Sequence, residues 1–142
     1  MNKKRILFVC IHNSARSQMA EALVNHLAGD RFAAESAGLE PGTLNPLAVE
    51  ALKQIGIDIS GKETRDVFTL HAQGQTYDYV VTVCDGASGE RCPVFPGSGK
   101  RLHWGFPDPS ALKGSYEERL QGTIAIRNEI RTQIEAWLRE VQ

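Results

Sequence analysis

The run Ile6-Leu7-Phe8-Val9-Cys10 constrains the fold most strongly, because it is apolar at every position rather than at alternate ones. Charge precedes it at Lys3-Lys4-Arg5 and polar residues follow it. A run of that length suits a strand buried on both faces, which predicts the central strand of a helix-covered parallel sheet. Ser17 then opens a segment with Met19, Leu23, Val24 and Leu27 at helical spacing, and Gly29 is expected to close it in a left-handed cap. Phe32–Ser36 can supply a second strand. Asn45-Pro46 caps and starts a helix with Ala48, Leu52 and Ile55 on one face and Gly56 as its stop. Tyr77–Val83, β-branched and aromatic, reads as a further core strand ending at Cys84. Glycine, serine and proline punctuate 85–99, the composition of a loop that can move. A short strand near Arg101–Trp104 follows. Ser115 with Glu118 forms a capping-box pattern, and Leu120, Ile124, Ile130, Ile134, Trp137, Leu138 and Val141 stripe the last helix. Strands alternating with helices predict a single α/β domain over 1–142, with ligands at the carboxyl ends of the strands.

A length of 142 residues can bury a core without covalent staples. The net charge of -1 offers nucleic acid or an anionic membrane no basic face, so neither is an expected partner, and any anion must be bound locally. No apolar run approaches the roughly 20 residues of a membrane span, and the first apolar run is too short for a signal peptide. Three cysteines is an odd number in a chain that needs no disulfide framework, which suggests reduced thiols and a cytoplasmic location.

Cys10-Ile11-His12-Asn13-Ser14-Ala15-Arg16-Ser17 places a cysteine at a strand's carboxyl end, an arginine six residues on and a helix start just after. A loop of that length can turn successive backbone N–H groups inward, and the helix amino end adds partial positive charge. Together they cradle a tetrahedral oxyanion such as phosphate or sulfate. Arg16 supplies a planar bidentate clamp. The same field favours the thiolate, so Cys10 is expected to be an anionic nucleophile. Asn13 can brace the loop, and the Ser17 hydroxyl can donate to the sulfur. His12 is given a backbone role only.

Asp108 lies between Pro107 and Pro109, which hold it on a stiff turn. It is either a turn residue or an acid able to protonate a departing oxygen. Cys84 and Cys92 are separated by a glycine-containing segment that spans at most about 29 Å, yet it can also close to the roughly 5.5 Å a disulfide needs. The two are either a redox pair or an inert buried cysteine and a surface one. A zinc site is disfavoured because the C-x-x-C spacing is absent.

The segment C-I-H-N-S-A-R-S-Q-M-A-E at 10–21 resembles the phosphate-binding loop of the low-molecular-weight protein tyrosine phosphatase superfamily, and more closely its arsenate reductase branch. The resemblance continues through E-S-A-G at 35–38, N-P-L-A at 45–48, G-I-D-I-S at 56–60, V-V-T-V-C at 80–84, H-W-G-F-P-D-P at 103–109 and I-R-N-E-I at 126–130. It implies a four-stranded parallel sheet flanked by helices, and Asp108 as general acid. It also implies a relay in which Cys10 attacks arsenate, Cys84 attacks Cys10 and Cys92 attacks Cys84. Thioredoxin, or a glutaredoxin with a small thiol, is the implied reductant, and a monomer without a required cofactor is expected. Relatives place potassium ligands where this chain has Asn13, Glu21, Ser36 and Asp66. The chain departs from relatives at Pro107, where a second acid is common, and at Ala15, where a cysteine is common. The 84–92 spacing is one residue longer. The alternative is a tyrosine phosphatase or small phosphomonoesterase, although Ser110 and Ala111 stand where such enzymes carry aromatics.

Overall fold

The computed structural model describes residues 3–84 and 99–141. Its elements run β1 Lys4–Cys10, α1 Arg16–Ala28, β2 Phe32–Gly38, α2 Pro46–Lys53, α3 Val67–Ala72, β3 Tyr79–Thr82, β4 Lys100–His103, a 3-10 turn at Pro109–Ala111, and α4 Tyr116–Glu140. The sheet order is β2-β1-β3-β4, with every neighbouring pair parallel. The apolar run 6–10 is therefore an interior strand, as its composition requires.

Alternation along β1 divides the core. Ile6, Phe8 and Cys10 face α1, α2 and α4, meeting Met19, Leu23, Leu52, Ile130 and Ile134. Leu7 and Val9 face the other way, onto Val67 and Leu70 of α3 and onto Tyr77. Trp137 of the α4 stripe is core, with ring centroids 5.2 Å from Phe32, 5.1 Å from Tyr79 and 5.8 Å from Trp104.

The Asn45 cap on Leu47 N and the Ser115–Glu118 capping box form as the sequence predicts. Three details differ from that reading. Gly29 is right-handed (φ -64°), and what requires glycine there is space, because a Cβ would run into the Asn25 carbonyl. Ser17 lies inside α1 rather than at its cap: Ala15 holds the cap position and no side chain caps the helix. Helix α3 has only six residues, too few for a periodicity to announce it, and Asp66 caps it by accepting from Phe68 N and Thr69 N.

Candidate active site

The loop after β1 is shaped from outside. The carbonyls of Cys10, Ile11, His12 and Ser14 accept from the N–H groups of Leu39 (3.2 Å), Glu40 (2.7 Å), Gly42 (3.0 Å) and Asn45 (2.9 Å). These peptide bonds are trans, as are all those among the described residues, so the N–H of each unit points the opposite way, inward. The Asn13 N–H marks that inward side, reaching Cys10 Sγ at 3.1 Å. Gly38 makes the wrapping possible: a Cβ there would stand 2.7 Å from Ile11 O and 2.9 Å from Asn13 N. Because α1 lacks a side-chain cap, its first-turn N–H groups are left to face the same concavity. The loop thus presents a nest of donors around one sulfur.

Asn13 takes the left-handed conformation (φ 54°) that this wrapping needs, a conformation asparagine tolerates better than most residues. It is fully buried. Its Oδ1 accepts from Gln18 Nε2 (3.1 Å) and Arg65 N (2.9 Å), while its Nδ2 donates to Ser17 Oγ (2.8 Å). Ser17 Oγ accepts from Asn13 and lies 2.9 Å from Cys10 Sγ, where either atom can be the donor. A Cys10 thiolate would receive two donors, the Asn13 N–H and the Ser17 hydroxyl. Ile11 and Ala15 contribute backbone only, and His12 turns outward, its Nδ1 3.0 Å from Glu40 O.

Arg16 is 3% exposed. Its Nη1 donates to Phe106 O at 3.2 Å and its Nη2 lies 3.7 Å from Asp108 Oδ2. The guanidinium therefore joins the loop to the stiff 106–109 segment and brings Asp108 to the site's edge. Asp108 also caps the 3-10 turn, with Oδ1 accepting from Ser110 N at 2.9 Å. The turn reading thus holds, and the same carboxylate stands beside the buried guanidinium. Asn45 Nδ2 donates to Ser110 Oγ (3.1 Å), fastening that turn to the start of α2.

Cys84 is fully buried just past β3, its thiol 4.0 Å from the carbonyl of Val9, the neighbour of Cys10. Gly105 crosses above it, where a Cβ would stand 3.3 Å from Cys84 O. Cys10, Arg16, Cys84 and Asp108 thus gather at the carboxyl end of the sheet. Cys92 and the loop expected over most of 85–99 lie outside the described residues.

Of the four residues at potassium-ligand positions, Ser36 Oγ donates to Glu21 Oε1 (2.8 Å), Asn13 Oδ1 already receives two N–H groups, and Asp66 caps α3. Lys62 Nζ stands 2.6 Å from Glu21 Oε2. An ion placed against that carboxylate would face an ammonium of like charge, so the donor set suits an added cation poorly. Among the described residues no three His, Cys, Asp or Glu side chains converge on a metal position. Gln18, Lys62 and Arg65 had no assigned role from sequence. Gln18 lies within the 10–21 motif, whereas Arg65 acts through its backbone N–H, which leaves no trace in residue type.

The model of the low molecular weight phosphotyrosine protein phosphatase family matches residues 5–142. The chain belongs to that family. It is 43% identical to an arsenate reductase of Shouchella clausii (strain KSM-K16) over 134 residues, 94% of each chain. The structure of an arsenate reductase in the phosphate binding state superposes with a TM-score of 0.80 at 28% identity, covering 98% of this chain and 99% of that one. A thioredoxin-dependent arsenate reductase of Corynebacterium glutamicum superposes at 0.61 and 28% identity, covering 96% of this chain and 63% of that one. The family's four-stranded parallel sheet and the loop after its first strand are those described above.

Proposed function

We propose that this chain reduces arsenate to arsenite with three of its own thiols. The observation that carries the reading is Cys84: a second buried cysteine placed beside the carbonyl next to the nucleophile, which ester hydrolysis does not require. The names of the relatives support arsenate as substrate.

Arsenate enters the loop with its oxygens on the inward N–H groups and on Arg16, where preorganised donors meet the charge that develops. Cys10 attacks arsenic, forming an S–As bond, while Asp108 protonates the departing oxygen, which leaves as water. Cys84, as thiolate, then attacks Cys10 Sγ. The S–As bond breaks, its electron pair stays on arsenic, and arsenite departs as a Cys10–Cys84 disulfide forms. Cys92 attacks Cys84, returning Cys10 as a thiolate and leaving Cys84–Cys92 oxidised. Two thiols have lost the two electrons that arsenic gained, and both later steps are thiol–disulfide exchange. An external dithiol then reduces the pair. Thioredoxin is the expected donor, in line with the thioredoxin-dependent enzyme of C. glutamicum.

Assays of Cys84→Ser and Cys92→Ser with arsenate, thioredoxin, its reductase and NADPH test this. Both variants should lose steady turnover while retaining oxyanion binding. Undiminished turnover by either would refute the relay. A cysteinyl-phosphate phosphatase would be equally served by the loop and Asp108, and would lose nothing in either variant.

A further inference from the structure

Beneath the anion loop lies a charge that the proposed chemistry does not use. Glu21 of α1 is 2% exposed, and its Oε2, like Oε1 of Gln18 one turn earlier, is buried with no hydrogen-bond partner among the described residues. A buried carboxylate left unpaired costs several kcal/mol. Of the described residues, Lys62 is the one cation in contact with this carboxylate, reaching it at 2.6 Å from a segment that is otherwise mostly at the surface. That segment also builds the loop. Glu63 O accepts from Gln18 Nε2 (3.1 Å), Thr64 Oγ1 donates to Gly42 O (2.8 Å), and Arg65 N donates to Asn13 Oδ1 (2.9 Å) while Arg65 O accepts from Gly38 N (2.9 Å). From Asn13 the connection passes through Ser17 to Cys10 Sγ. The ion pair therefore pins the strand of chain that sets the conformation of the nucleophile's loop.

We propose that Lys62 is the built-in counter-cation of Glu21 and a positioning residue for the anion loop, so that oxyanion binding here needs no added monovalent cation. Its ammonium stands on the carboxylate against which a potassium ion would have to sit, and it is tethered to the chain at no cost in ion concentration. Removing it leaves an uncompensated negative charge near the site where an anion must bind. The loss is then largest when no small cation can replace it.

The inference rests on the oxyanion loop and not on the thiol relay, so it is tested by binding alone. Titration calorimetry with inorganic phosphate is run in potassium chloride and, at equal ionic strength, in tetramethylammonium chloride, whose bulky cation cannot approach a carboxylate closely. The unmodified chain and Lys62→Arg should bind phosphate equally in the two salts, within about twofold. Lys62→Met should lose about tenfold in tetramethylammonium, the scale of an ordinary coupling between neighbouring sites, and regain most of it in potassium. The double variant Glu21→Gln with Lys62→Met, lacking the buried charge, should bind phosphate equally in the two salts, within about twofold. Tighter binding by the unmodified chain in potassium would overturn the proposal without requiring any variant to fold. Full affinity of Lys62→Met in both salts, or a loss that potassium does not repair, would also overturn it. No phosphate binding by the unmodified chain would remove the loop reading and this proposal with it.

Discussion

Ser17 shows how much a single hydroxyl can do when its partners are fixed. It accepts from Asn13 and lies within hydrogen-bond reach of Cys10, to whose thiolate it can donate. A hydrogen bond to a charged group is worth about 1.5–3 kcal/mol, so Ser17→Ala should slow single-turnover attack by roughly 10- to 100-fold, and it should lower the thermal midpoint because Asn13 Nδ2 loses its buried acceptor. Asp108 divides its two oxygens between the Ser110 amide and the approach to Arg16. Asp108→Asn keeps the acceptor for the turn but cannot give up a proton. Its turnover number should fall by about 10²–10⁴ while phosphate binding persists, a separation that rapid-quench and equilibrium titration can measure. Both residues were legible in the sequence because their types carry the chemistry. Lys62 was not, since a lysine on a polar stretch gives no hint that its partner is a buried glutamate across the fold.

Between elements, polar contacts fix the register that delivers these side chains. Glu35 of β2 accepts from Tyr77 Oη (2.7 Å) and Arg5 Nη2 (3.0 Å), and the Arg5 guanidinium lies 4.5 Å over the Tyr77 ring. Burial works against ionisation of Glu35, but the Tyr77 hydroxyl and the Arg5 and Arg65 charges outweigh it and hold the carboxyl below its ordinary value. Burial first, and then the Glu35 carboxylate, push the Tyr77 hydroxyl well above its usual range. The sign follows by linkage: a depressed carboxyl stabilises the fold above its unfolded value near 4.5 and ceases to do so as pH falls through the folded value. The contribution of a raised tyrosine is complete below about 10 and is lost as pH climbs beyond it. Glu35→Gln should therefore flatten the acid limb of a plot of urea midpoint against pH, with the largest loss of stability near neutrality. Gly38→Ala belongs to this scale too. Its methyl would meet backbone at Ile11 and Asn13, which cannot swing aside. A destabilisation of about 1–3 kcal/mol is expected, readable in urea melts, together with weakened phosphate binding. Apolar runs and capping pairs gave β1, β2, α1, α2 and α4 from sequence, because each contains enough residues to repeat a pattern. Helix α3 is shorter than two turns and is fixed by contact with Leu7 and Val9 rather than by any period of its own.

For the molecule as a whole, the sheet order β2-β1-β3-β4 puts the two innermost strands side by side and ends both at the site. Cys10 closes β1 and Cys84 follows β3, so a relay between them needs no long journey by either sulfur. Their neighbourhood could not be read from periodicity, which says nothing about strand order. The family resemblance implied a four-stranded parallel sheet but not the order of its strands. Among the described residues no helix is long and apolar enough to cross a membrane. The account stands on thiols acting in sequence, and the most direct test is peptide mapping after one turnover of arsenate by the reduced chain, with no reductant present. Cys84 and Cys92 should be recovered as a linked pair with Cys10 free and one equivalent of arsenite released. Arsenite released with Cys92 still free, or three free thiols with the arsenate unchanged, would contradict it.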